Sequence, residues 1–448
     1  VFTITFAILQ KIKIFGDKGK NFNAVVAVVM AFLVVRTDTI VEVMNLFLPK
    51  ISLLSIIIVV TLLLVGILLN KEASFTGALG GIGVLLTLAG IIFAFLSSSG
   101  ALGLELPSWL NFSSGDWNFI IGLFLLLINV LFSRLPIISF YWLIKIIEFL
   151  AVISLSKKML KTLKEKSILT AFLLSGLFEL FLAIAQFINK HSVQGIFYYF
   201  GERLISLSTP GVAKATIQGI EFLRPYGTFS HPNSSSGFFL LLYFFVLTNK
   251  KFNQHSVFKY IFLLVSSLLI FLSFSKIAII TYLVLSLIFY LRSKESLCRI
   301  CFIARVIVIF IISLIFFQAV TDPLTVEKRI ELIKNSLTII SRYPIYGVGL
   351  GSYLLEQVKF SSKYYLFFNQ PVHNIFMLFF SELGLVIGGI IMMISISPIK
   401  KLIKLNPYLI LTIAITGSFD HYWLTLQQNF LLMGVVIGVT LFQVLSVD

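Results

Sequence analysis

The feature that most constrains this chain is a succession of apolar runs bounded by charge, each near the roughly 20 residues a helix needs to cross a bilayer. They lie near 51–69, 77–97, 117–133, 138–156, 168–188, 234–248, 258–274, 276–291, 302–319, 374–396, 406–419 and 427–446. A weaker one at 24–48 is interrupted by Arg36, Asp38 and Glu42. Of 448 residues, 58 % are apolar and 12 % charged, too little polar surface to cover a water-soluble globule. A membrane β-barrel would instead show alternating segments of about ten residues. The expectation is an all-α, polytopic integral membrane protein with about 12 transmembrane helices and two large outer-face loops containing short interfacial helices.

A net charge of +16 raises the question of nucleic acid, but the positions of the cations answer it. They gather in short loops between apolar runs: Lys157, Lys158, Lys161, Lys164 and Lys166; Lys250, Lys251 and Lys259; Arg292, Lys294, Arg299 and Arg305; Lys400, Lys401 and Lys404. Short basic loops stay in the cytoplasm. The loops 189–233, 320–373 and 418–426 are therefore expected outside. Extending the alternation backwards puts Lys11, Lys13, Lys18 and Lys20 outside as well, against the rule, so one early segment, with 24–48 the candidate, is expected to be interfacial or half-crossing. No charged n-region precedes the opening apolar run, so no signal peptide is expected and the start reads as truncated. Cys298 and Cys301 form a lone C-x-x-C without further ligands at metal-site spacing and read as reduced thiols.

The three outer loops carry the chemistry. Loop 189–233 mixes aromatics with the breakers Pro210, Pro225 and Pro232, which predicts short interfacial helices joined by turns. Its tyrosines Tyr198 and Tyr199 suit the headgroup layer. After Pro232, Asn233 and Ser234 can cap the next helix, aiming free amides outward beside Arg224 and His231, which is an anion site in the making. A snorkelling arginine beside a capping asparagine is the plainer alternative. Asn233-Ser234-Ser235 also matches the short N-glycosylation pattern.

In loop 320–373, an amphipathic helix is expected with Ile330, Ile333, Leu337 and Ile340 on one face and Tyr343-Pro344 at its end. Arg329 lies beside that stripe, either held near headgroup depth or solvated. Gly347, Gly349 and Gly351 follow, able either to expose backbone amides to an anion or to let the chain fold back under the site. His373-Asn374 opens the next span, in which Glu382 interrupts the apolar run and Gly384 and Gly388 offer a small-residue packing face. A histidine at a helix N-terminus is disfavoured from protonating and stays available as a base, although capping or packing would explain it too. The last loop supplies Asp420 and His421 at another span boundary.

Together these patterns resemble the O-antigen ligase and polymerase family. The matching pieces are R-x-x-G-x-F-x-H-P-N at 224–233, S-F-S-K at 273–276, an arginine fifteen residues before Pro344 in R-x14-P-x-x-G-V-G, H-N-x-F with E-x-G-L-V at 373–386, and the aspartate before the final span. Their order and spacing agree over roughly 135–448, which sets residues 134–448 as an O-antigen ligase-like core and 1–133 as N-terminal transmembrane segments of separate standing. Lys276 stands where the family often has arginine.

The resemblance implies a metal-independent glycosyltransferase without a cofactor, in the bacterial cytoplasmic (inner) membrane with its active site on the outer face. The implied donor is an undecaprenyl-diphosphate-linked glycan; the acceptor is lipid A core, another glycan or a protein. Ligase, polymerase and protein O-oligosaccharyltransferase thus stay open, with a lipid-linked glycan or solute transporter as the distant alternative. Arg224 and Arg329 can clamp a diphosphate and His373 can act as base, with His231, Asn233, Asn374, Glu382, Asp420 and His421 in support. No nucleic-acid partner is expected.

Overall fold

The structure is a computed structural model and describes residues 20–35, 114–162, 164–292, 323–360 and 369–442, with a few helical residues between 6 and 11 and between 303 and 310. The expected spans at 51–69 and 77–97, most of 302–319, and the C-x-x-C lie outside the described residues. The chain forms two compact units, 1–111 and 112–448. In the first, helix α1 (Lys20–Val35) accounts for the start of the interrupted 24–48 run.

The second unit is helical. Helices α2 (Ser114–Leu131), α3 (Pro136–Thr162) and α4 (Glu165–Asn189) lead to a short turn of helix, α5 (Ile196–Tyr199), and a hairpin of β1 (Lys214–Ile217) and β2 (Ile220–Leu223). Then come α6 (Pro232–Thr248), a 3₁₀ turn (Lys250–His255), α7 (Ser256–Leu272) and α8 (Lys276–Arg292). The remainder is α9 (Pro323–Arg342), α10 (Tyr353–Gln357), α11 (Ile375–Leu405), α12 (Pro407–Gly417), α13 (Tyr422–Thr425) and α14 (Gln427–Phe442). Among the described residues, four segments are long and apolar enough to span a membrane: 136–156, 165–189, 250–272 and 375–405. The shorter apolar helices 118–131, 232–248, 407–417 and 427–441 accompany them, and the molecule is an integral membrane protein.

Helix α6 lies at the centre of the unit. Its side chains Phe239, Leu240, Tyr243, Phe244 and Val246 are all buried, because α7, α8, α12, α13 and α14 pack around it. A helix that is apolar on every side must be enclosed by others or by lipid, and here helices enclose it. Small residues set the closest approaches. A Cβ at Gly438 of α14 would lie 2.4 Å from the Ile153 carbonyl oxygen of α3, so these two helices meet backbone to backbone.

Two expectations change. The loop after α4 was expected to hold interfacial helices alone, yet it carries the β1–β2 hairpin, in register Lys214 to Leu223 and Ile217 to Ile220. Its two-residue turn, Gln218-Gly219, has φ of 50° and 81°, the positive pair that matches strand twist in tight hairpins. The amphipathic α9 also turns a different face inward. Leu332, Asn335, Ser336 and Ile339 are buried, as is Ile340 of the expected stripe, whereas Ile330, Ile333 and Leu337 are exposed, so most of that stripe looks away from the protein and Arg329 shares the inward face one turn before Leu332.

Helix α11 is not continuous. Gly384, at φ 75° and ψ 170°, breaks it, and the turn 345–349 fits into the break. The Val348 and Gly349 amides donate to the carbonyls of Ser381 and Glu382, while Leu385 and Val386 donate to Pro344. The Gly349 amide is thus consumed by α11 and the Gly347 amide by the Tyr343 carbonyl, while the Gly351 backbone faces the Glu382 side chain, and of the two readings of Gly347, Gly349 and Gly351 the fold-back is the one observed. Gly384 serves that insertion, since a Cβ there would lie 2.6 Å from the Gly347 nitrogen.

Candidate active site

Four helix ends converge on one polar cluster. The hairpin delivers the first member: Arg224 directly follows β2, and its amide donates to the Ala213 carbonyl, extending the strand pair by one bond. Its guanidinium then donates from Nε to the Ser273 carbonyl at 3.0 Å and from Nη2 to Asn233 Oδ1 at 2.6 Å. Ser273 ends α7, in the turn where Phe274 takes φ 55°. The S-F-S-K segment therefore contributes a backbone carbonyl that aims Arg224.

The start of α6 departs from expectation. His231, not Asn233 or Ser234, is the N-cap, its Nδ1 accepting the Asn233 amide at 3.1 Å, with Pro232 in the first turn. A neutral imidazole that accepts at Nδ1 carries its proton on Nε2, so His231 presents a donor to the site. Asn233 links the charges, because its Nδ2 donates to Asp420 Oδ2 at 2.8 Å while its Oδ1 receives Arg224. A direct Arg–Asp pair would neutralise the cation; an amide relay orients both and leaves the remaining guanidinium donors for a ligand.

His373 and Asn374 precede α11. Asn374 caps it, accepting from Phe376 and Met377, and donates to the Ser418 carbonyl at 3.0 Å, which docks α11 against the end of α12. His373 thus stands beside His421, ring centroids 5.3 Å apart and nearly perpendicular, and its Nδ1 is buried with no hydrogen-bond partner among the described residues. His421 meets Thr425 Oγ1 through Nδ1 at 2.7 Å. The His373, Asp420 and His421 ligating atoms lie within 4.8 Å of one another, close enough to share a divalent cation. Positive charges stand close by, which raises the cost of a cation there: Arg224 acts on His231, and Arg329 and Lys328 act on His373. Arg329 Nε is itself buried without a partner among the described residues.

Burial and these cations set the protonation states. Desolvation first, then Arg224, pulls His231 down to about 3. Desolvation outweighs the pull of Asp420 and, with His421, Arg329 and Lys328, lowers His373 to about 4. Burial depresses Arg224 to about 10, still charged at neutral pH. Asp420 would be raised by its burial, but His421, His373, His231 and the Asn233 amide outweigh this and hold it near 2. At neutral pH the cluster thus has neutral imidazoles, one carboxylate and two arginines.

Glu382 is the expected residue that the structure sets apart. It faces the backbone of Gly351 and Tyr353 and lines an apolar cavity of about 790 Å³ between α2, α3, α11 and α14, with Trp142, Leu350, Leu378, Phe379 and Phe430. Thr425, the partner of His421, lines the same cavity, so the cavity adjoins the cluster there.

Two supporting residues, Glu179 and Gln186, were not marked by the sequence. Glu179 of α4 accepts from the amide and the hydroxyl of Thr228. Gln186, about two turns further on, accepts the Tyr226 and Gly227 amides and donates to the Gly227 carbonyl and to Glu202. These bonds hold 224–231 in place. The available signal was a carboxylate inside an apolar run, which is costly unless it has a partner.

No curated protein matches the chain. Residues 261–393, which include Ser273, Arg329 and His373 but not Arg224 or Asp420, match a family model described as O-antigen ligase, so this stretch is similar to that family.

Proposed function

We propose that this protein transfers a glycan from an undecaprenyl-diphosphate-linked donor to an acceptor hydroxyl at the outer face of the bacterial cytoplasmic membrane. The observation that carries the reading is the pairing of two arginines with a buried, neutral imidazole whose Nδ1 has no partner among the described residues. Arg224 and Arg329 present planar donors to the diphosphate oxygens. The acceptor oxygen attacks the anomeric carbon as its proton passes to His373, and a new glycosidic C–O bond forms. The bond from that carbon to the diphosphate oxygen breaks, and the charge left on the lipid diphosphate is met by the arginines. His231, donating from Nε2, and Asn233 support the anion; Asp420, His421 and Asn374 position the base. The apolar cavity beside Thr425 suits an isoprenoid chain.

The reaction runs without a metal in this scheme, because the arginines neutralise the leaving group. The test is incubation of the purified protein in nanodiscs with undecaprenyl-diphosphate oligosaccharide and separate lipid A core, glycan and protein acceptors, following undecaprenyl diphosphate release. Acceptor-dependent release that falls by about 10²–10⁴-fold in His373→Ala is expected. Full release in that variant ends the proposed role of His373; lipid-linked glycan crossing the bilayer without release points to transport.

A further inference from the structure

The loop after α4 does not rise away from the membrane. Phe197 of α5 packs on Phe178 and Phe181 of α4, with ring centroids 6.0 and 5.9 Å apart, and Phe200 packs on Phe178 at 5.5 Å. Along a helix rising 1.5 Å per residue, Phe181 and Phe178 lie roughly 12 and 16 Å before its end at Asn189. The segment Gly195–Gly201 therefore folds back beside the middle of a membrane span.

Its composition and bonding suit that depth. Ile196, Tyr198, Tyr199, Phe200 and Leu204 are exposed, Tyr199 to 86 %, and no charged residue occurs between Gly195 and Gly201. On α4 beside them, Leu174, Leu177, Phe181, Ile184 and Ile188 form an outward stripe at helical spacing, the surface a span turns to acyl chains. Backbone at membrane depth must satisfy its own polar groups. The amides of Phe197, Tyr198, Phe200, Gly201 and Glu202 all donate to carbonyls within 194–198. The Glu202 carboxylate, 1 % exposed, is closed off by the Val193 and Gln194 amides and Gln186. Arg203 then leaves the segment and reaches the Ser230 carbonyl.

We propose that residues 195–201 form a re-entrant aromatic wedge that inserts among the acyl chains of one leaflet and sets the height of the Arg224 loop against the bilayer. The coupling is Gln186, which bonds Glu202 at the wedge's base and the backbone of Tyr226 and Gly227 two and three residues beyond Arg224. Lipid is the occupant because the wedge continues the outward stripe of a span and offers no charge to a protein surface. This holds whatever reaction the site performs.

The test is site-directed spin labelling of the full chain in nanodiscs, with Cys298→Ser and Cys301→Ser as background and a nitroxide at Tyr199→Cys or, as comparator, Ser208→Cys on the exposed loop beyond. Accessibility to oxygen above that to the water-soluble nickel chelate at 199, reversed at 208, is the expected result. Nickel accessibility at 199 equal to that at 208 overturns the proposal. So does shielding of 199 from both reagents, which would mean protein covers it.

Discussion

At the scale of single residues, the site works by removing water from imidazoles and arginines while keeping them oriented. His373, lowered to about 4 by burial, is a free base from about pH 5 upward. A histidine with a depressed value loses base function only as pH falls through that value. The acid limb of the transfer rate is therefore expected near pH 4, with a flat profile from pH 6 to 8; a limb near 6.5, the ordinary value for histidine, would show that the base is solvated or is another group. Arg224 has a geometric role as well as a charge, since Nε is committed to Ser273 and Nη2 to Asn233. Arg224→Lys keeps the charge and loses the fork, so transfer is expected to fall roughly 10- to 100-fold. Wild-type rate in that variant would reduce Arg224 to a point charge. Arg224, His231, His373, Asp420 and His421 could be picked out in the sequence because each is a polar group at the end of an apolar run. Gln186 could not, because an uncharged amide near a span end is unremarkable until its four hydrogen bonds are seen.

At the scale of elements, the site depends on interruptions. The turn 345–349 enters the break in α11, and Asn129 of α2 fastens it by donating to the Tyr346 and Glu382 carbonyls and accepting the Leu350 amide. Gly384→Ala places a Cβ 2.8 Å from the Ile345 carbonyl oxygen at a positive φ. A loss of about 2 kcal/mol or more is expected, read as a lower melting temperature in detergent, with Gly389→Ala, which meets no atom within 4 Å, as the neutral control. Equal melting of both variants would mean that the break is not needed. Periodicity located α11 but not its break, since a glycine in an apolar run reads equally as a packing face. The β1–β2 hairpin was hidden for a related reason: Gln-Gly is a weaker turn signal than Asn-Gly, and its strands are four residues each.

At the scale of the whole molecule, short helices lower the site toward the bilayer. Helix α6 has 17 residues and α12 has 11, near 25 and 16 Å against a hydrocarbon thickness of about 30 Å. Thr228, bonded to Glu179 about 15 Å before the end of α4, records the same recess. The diphosphate of the proposed lipid-linked donor would sit at such a level. Because Arg224 and Arg329 surround the His373–Asp420–His421 trio, a chelator is expected to leave transfer unchanged within about twofold; loss of activity restored by a divalent cation would instead assign the trio to a metal. The sequence alone determined the helical membrane class and marked polar residues beside the spans as the candidate site, because the cost of burying charge in lipid is written residue by residue. Only the tertiary structure decided that Asn233 joins Arg224 to Asp420, that His231 caps α6, that α11 breaks and that the aromatic loop turns back beside α4. Each of these depends on contacts between segments far apart in the chain, whose geometry no local pattern encodes.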